Sequence, residues 1–157
     1  MKRQSLRASF SCAFSGIFEL LETERNFRID VFFAFFAVFM CALTRTHGTN
    51  LALIIVCIFV VLGLEGLNSS LEHAVDLACP QQHEVARIAK DRAAGAVLIA
   101  ALGSVVVGLV VFVPTLLALL SNETRIFHDQ MAPLALSSAA LVVYCAWVCV
   151  HPLPEKS

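Results

Sequence analysis

Uncharged and polar stretches alternate along the chain. Residues 31–43, 51–64, 93–120 and 131–150 contain no Asp, Glu, Lys or Arg, and short polar stretches separate them. Apolar runs without a two-residue alternation read as helices that are hydrophobic all round, and runs near 20 residues call for lipid as solvent. At about 1.5 Å per residue the first run covers only about 20 Å and the second about 21 Å, so each must borrow turns from its flanks. The third run, with Gly95, Gly103 and Gly108 for close helix contact and Pro114 as a kink point, is long enough to span. The fourth run carries no ionisable residue, and Ser137 and Ser138 suit packing on the outside of a core formed by the others, which makes it dispensable for chemistry. Ahead of all four, residues 2–28 show a helical period. Leu6, Phe10, Phe14, Ile17 and Leu21 recur at spacings of three and four, with Arg3, Arg7, Glu19 and Glu22 elsewhere. That segment is too polar to span and suits the membrane surface. The pattern predicts an all-α integral membrane protein: an N-terminal amphipathic surface helix, a core of three transmembrane helices over residues 1–120, and one extra C-terminal transmembrane helix within 121–157.

Composition agrees. The chain is 59% apolar and 15% charged, with a mean hydropathy of +0.81, more apolar surface than a soluble domain of this length can bury. A net charge of -1 gives no sign of a nucleic-acid partner. Residues 6–17 are too interrupted, and lack a small-residue cleavage site, to be a signal peptide. The six cysteines form no Cys-x-x-Cys pair and sit mostly in apolar runs, where a thiol behaves as a small hydrophobe. Of the eleven Lys and Arg, only Arg45 and Arg125 fall on the side opposite the N-terminus, a positive-inside bias that directs the N-terminus and the polar end of the second span to the cytoplasm.

Candidate chemistry concentrates where the second apolar run turns polar. At about 100° per residue, Asn68, Glu72 and Asp76 fall at roughly 300°, 340° and 20° from Glu65, one face within about 80° of arc. Acids joined to a membrane-grade helix are costly and point to function. Counted from the far side, Glu65 lies below the headgroups, at the depth of a lipid's hydroxyl. Cys79 and Pro80 break the helix, and His83 and the pair Lys90-Asp91 follow. Acids beside a lysine at a cytoplasmic surface suit phosphoryl transfer from a metal-nucleotide to a lipid. Magnesium takes carboxylate and phosphate oxygens, lysine neutralises the transferred group, and a further carboxylate accepts the alcohol's proton. Lys90-Asp91, at the start of the third span, also gains from free N–H groups expected there. Neither a G-x-x-x-x-G-K-[ST] loop nor a protein-kinase signature is present.

Glu65-Gly66-Leu67-Asn68-Ser69-Ser70-Leu71-Glu72, Val75-Asp76 and Ala89-Lys90-Asp91, followed by Ala93-Ala94-Gly95-Ala96-Val97, resemble the prokaryotic diacylglycerol kinase family, which includes undecaprenol kinases. Ser9-Phe10 through Gly16-Ile17 and Glu24-Arg25-Asn26-Phe27-Arg28 resemble its N-terminal region, so the likeness covers roughly residues 5–115. It implies an ATP- and Mg2+-dependent lipid kinase, a homotrimer with sites between protomers in the cytoplasmic membrane. It further implies Glu65 as base, Glu24 and Glu72 as magnesium ligands, Asn68 and Asp76 as polar site residues, Lys90 as the phosphate-binding lysine, and Gln82 and His83 in a nucleotide-side loop, with Asp91 beside them. The Glu-Arg-Asn-Phe-Arg and Ala-Ala-Gly-Ala-Val runs are more similar to the undecaprenol branch than to the diacylglycerol branch. Two departures stand out: the fourth apolar run, and Arg92 where the family usually has an apolar residue. The competing reading is a non-catalytic or transport protein using its carboxylates as a cation or proton relay, but such a relay should continue through 51–64, which is uncharged.

Overall fold

A computed structural model describes residues 6–81, 83–121, 138–144 and 146–147. Its four long helices are α1 (Leu6–Thr23), α2 (Arg25–Leu43), α3 (Gly48–Ala78) and α4 (Glu84–Ser121). Of these, α2, α3 and α4 (the last over Glu84–Ala118) are long and apolar enough to cross a membrane. The chain is therefore all-helical among the described residues, with three candidate spans. The fourth apolar run lies largely outside them, although residues 138–144 and 146–147 are helical.

The helix expected over 2–28 is instead divided at Glu24, which is extended at φ −103° and ψ 115°. Arg28 supplies the reason. Its Nε donates to the carbonyl of Leu21 at 2.5 Å and its Nη2 to that of Glu22 at 2.6 Å. A continuous helix would have bonded those carbonyls to the amides of Arg25 and Asn26. The guanidinium thus caps α1 and frees the chain to restart as α2. With 19 residues α2 is about 28 Å long, so the first span gains the length that the run 31–43 lacked.

At the other end of α2 the chain turns tightly. The amide of Thr46 donates to Cys41 and that of Arg45 to Ala42, with Arg45 itself at φ 49°. This is a Schellman closure, carrying arginine where glycine is usual. Gly48, at φ 60°, then opens α3.

The uncharged run 51–64 and the polar face that follows it form one rod, the 31-residue α3. Its length of about 46 Å exceeds a hydrocarbon core of about 30 Å, so one end must emerge. The helix ends at Cys79, where Pro80 follows. The next helix starts at Glu84, well before the uncharged run at 93, and continues through Pro114. This corrects one expectation: Lys90 and Asp91 lie inside α4, past the first turn where free N–H groups are found, so they act through their side chains.

α3 and α4 form the most extensive helix pair, α2 lies against α3, and α1 touches α2. Cys41, Ile54 and Val111 form a small core joined by Ala37, Ile58 and Val107. Most large apolar side chains instead face outwards, among them Phe59, Ile99 and Val110. On a membrane-spanning chain, lipid or further protomers cover such surface. Among the described residues of one chain, a Cβ at Gly95 or Gly103 would meet nothing within 4 Å, and at Gly108 only Phe112 of the same helix. The close approach occurs at Gly66, whose Cβ position lies 3.2 Å from Cδ1 of Leu20. On α1, Leu6, Phe10, Phe14 and Ile17 are all exposed.

Candidate active site

Two polar regions occupy the end of the helices where α1 meets α2 and α3 meets α4. The first centres on Glu65. Leu20, in the last turn of α1, rests on Gly66 beside it, and the α1–α2 joint lies near. Under this cover Glu65 is 4% and Asn68 7% exposed, while Glu72 is half-buried. The groups acting electrostatically on Glu65 are Asp30, the side chain of Asn26, Glu72 and Glu24. Glu65 and Glu72 share α3 through helical spacing, whereas Glu24 and Asp30 arrive from the joint and from α2. Asn68 completes the region, its Nδ2 donating to Oε1 of Glu72 at 3.2 Å. Its Oδ1 is buried without a hydrogen-bond partner.

None of these four carboxylates forms an ion pair with a described Lys, Arg or His. Negative charge gathered round a buried point, with an orphaned amide oxygen at its edge, calls for an external cation. Among the described residues no three His, Cys, Asp or Glu side chains make a closed metal cage. Mg2+ does not need one, since it takes one or two carboxylates and fills its shell with water and phosphate oxygens. The residues present therefore fit that ion, with Glu24 and Glu72 the ligands expected.

The second region is an open cleft of about 570 Å³ between the end of α3 and the start of α4. Asp76, Gln81, His83, Arg87 and Lys90 line it, with Cys79 and Pro80 at the turn. Reversal of the chain at this turn brings Lys90 Nζ to 2.5 Å from Asp76 Oδ1. Nδ1 of His83 accepts from the amide of Val85 at 3.2 Å and so caps α4. Arg87 bridges Glu84 at 2.6 Å and Asp91 at 2.7 Å. Asp91 is thus engaged one turn away and does not line the cleft. Gln82 lies outside the described residues.

The structure thus brings together Glu24, Glu65, Asn68 and Glu72 in one region and Asp76, His83 and Lys90 in the other. Asn26 and Asp30 were not anticipated. Asp30 carried a readable signal, an acid directly ahead of the uncharged, Phe-rich run 31–43. Asn26 stood in a motif, Glu-Arg-Asn-Phe-Arg, whose role no spacing discloses.

Comparison with known proteins identifies the family. The family model described as prokaryotic diacylglycerol kinase matches residues 11–112. A diacylglycerol kinase of Synechocystis sp. is 40% identical over 117 residues, 74% of this chain and 67% of that protein. An undecaprenol kinase of Bacillus subtilis is 40% identical over 109 residues, 69% of this chain and 88% of that protein. No solved structure gives a significant match. The matched segment includes both polar regions, and the chain belongs to the prokaryotic diacylglycerol kinase family.

Proposed function

We propose that this multi-pass membrane protein, a lipid kinase by family, transfers the γ-phosphate of ATP to a lipid hydroxyl at the cytoplasmic face. The observation that carries the reading is the convergence of Glu24, Asp30 and Glu72, none with a described cationic partner, on the buried carboxylate of Glu65. Glu65 takes the proton of the lipid hydroxyl as that oxygen forms its bond to the γ-phosphorus and the bond to the leaving ADP breaks. Glu24 and Glu72 hold Mg2+, which when bound draws charge off the phosphate oxygens. Asn68 fixes Glu72 through its amide, and Asn26 orients Glu65.

The cleft receives the nucleotide. Lys90 exchanges Asp76 for a phosphate, and the exchange costs little because an ion pair with a side chain 64% exposed contributes about 0–1 kcal/mol. His83 borders this side, and Asp91, next to Lys90 in sequence, is held by Arg87; Gln82 is a further nucleotide-side residue by resemblance to the family. The exposed apolar stripe of α1 lies on the membrane surface. Outward-facing apolar surface on the spans is covered partly by two further copies, giving a homotrimer with sites between protomers.

Undecaprenol is the acceptor we favour over diacylglycerol. Its support is the Glu-Arg-Asn-Phe-Arg motif, whose Asn26 is among the residues that act on Glu65. The test is to incubate purified protein with γ-labelled ATP, Mg2+ and a panel of lipid alcohols. Label should enter undecaprenol faster than diacylglycerol. Preferential labelling of diacylglycerol would reverse the choice of acceptor, and failure to label any lipid would overturn the reading.

A further inference from the structure

The joint between α1 and α2 is a single residue, and that residue is Glu24. Its amide donates to Leu20 at 2.9 Å, the last bond of α1, and its carbonyl accepts from Arg28 at 3.3 Å, the first of α2. Its side chain makes no capping hydrogen bond. Where the carboxylate stands relative to Glu72 therefore depends on the angle between two helices at one extended residue. α1 has no buried residue of its own to fix that angle. Arg28, only 6% exposed, ties the two helices together through the carbonyls of Leu21 and Glu22.

Arg28 is in turn held from the far end of the chain. The hydroxyl of Tyr144 donates to its backbone carbonyl, and the ring of Trp147 lies over its guanidinium at 5.4 Å. The Tyr144 ring stands 5.4 Å from that of Phe35 on α2 and stacks with Trp147 at 6.2 Å and 25°. Tyr144 is itself buried. Backbone and side chain of one arginine are thus gripped by one short helical stretch, which lies beyond the family-matched residues 11–112. A cation held under an indole in a water-poor setting gains more than at an open surface, and an arginine already fixed loses less entropy in making its fork of bonds.

We propose that Tyr144 and Trp147 are positioning residues for Glu24, acting through Arg28, so that the segment after α4 braces the metal-binding geometry. This rests on the reading of Glu24 as a magnesium ligand. Neither Tyr144 nor Trp147 lines the cleft around Lys90. Loosening it spreads the Glu24 carboxylate over more orientations and weakens its hold on the metal, while the cleft around Lys90 is left as it was.

The test uses the full-length protein, in which Trp147 is the one tryptophan and reports on the brace directly. Mg2+ is titrated in the presence of a non-hydrolysable ATP analogue while Trp147 emission is followed, and the magnesium dependence of turnover is measured in parallel. Wild-type emission should change with a midpoint that tracks the kinetic one. Tyr144→Phe removes a single oxygen and should raise both midpoints about fivefold to tenfold, the scale of one buried hydrogen bond. Trp147→Leu should raise the kinetic midpoint by a similar factor. Trp147→Phe, which keeps a ring over Arg28, should stay within about twofold of wild type. KM for ATP and for lipid at saturating Mg2+ should be unchanged in all three.

Glu24→Gln separates the two levels of the argument. If it leaves the magnesium midpoint where it was, the ligand assignment is wrong and the brace loses its purpose. If it raises the midpoint while Tyr144→Phe and Trp147→Leu do not, the ligand assignment stands and the brace is overturned. Variants that melt earlier but keep the wild-type magnesium midpoint also overturn it, because the contacts would then serve stability alone.

Discussion

The two polar regions at this end of the molecule are built on opposite electrostatic plans. Around the buried Glu65, half-buried acids from the α1–α2 joint, α2 and α3 gather with no described cationic partner. In and beside the cleft one turn further along α3, charges are open to solvent and matched: Asp76 with Lys90, and Arg87 with both Glu84 and Asp91. Unmatched buried charge is costly and persists where something else neutralises it or uses it. Matched exposed charge costs little and exchanges partners readily. In the function proposed above, proton and metal go to the first region and nucleotide to the second.

Substitutions on the two sides should therefore behave differently. The largest effect belongs to Glu65→Gln, which keeps shape and removes the base. Turnover should fall about 10²–10⁴-fold with fold and nucleotide binding retained, checked by steady-state kinetics beside binding of a fluorescent ATP analogue. Near-normal turnover would remove Glu65 from the mechanism. Next come Glu24→Ala and Glu72→Ala, each depriving a hard cation of a charged oxygen. The magnesium required for half-maximal rate should rise by about tenfold or more, an effect of at least about 1.4 kcal/mol. Unchanged magnesium titrations in both variants would reassign these acids to structure.

On the matched side, Lys90→Ala should raise KM for ATP several-fold and leave the magnesium midpoint at saturating nucleotide in place. Arg87→Ala, which releases exposed partners, should leave thermal unfolding close to wild type. A shifted metal midpoint in Lys90→Ala would blur the division between the regions. The smallest effect is expected of Gly66→Ala. The added methyl meets the flexible end of Leu20 at 3.2 Å, a local cost offset by a helix-propensity gain of up to about 1 kcal/mol. Thermal unfolding should show little change, and a large destabilisation would mean that α1 cannot yield at this contact.

The sequence disclosed whatever a single helix could carry. Uncharged runs marked the spans, and a 3.6-residue period placed Glu65, Asn68, Glu72 and Asp76 on one face. It disclosed less where distant segments meet. Residues 2–28 kept a helical pattern across Glu24, because the break arises from Arg28 reaching back to carbonyls that no periodicity records. The start of α4 was read too late, since polar residues 84–92 fit a loop as well as the emergent end of a helix. Glu24 came to the site through resemblance alone, and Asp30 was passed over although an acid directly ahead of a Phe-rich run was a signal in its own right. Contacts of Tyr144 and Trp147 with Arg28 lie more than a hundred residues apart along the chain, beyond the reach of any local pattern.

The most direct test of the division is to locate the metal. Mn2+ titrated into purified protein with a non-hydrolysable ATP analogue can be followed by the electron paramagnetic resonance of the free ion. The account predicts that the double variant Glu24→Gln, Glu72→Gln loses protein-dependent Mn2+ binding, while Asp76→Asn, on the matched side, retains it. Retention in the double variant with loss in Asp76→Asn would place the metal in the cleft and contradict the account.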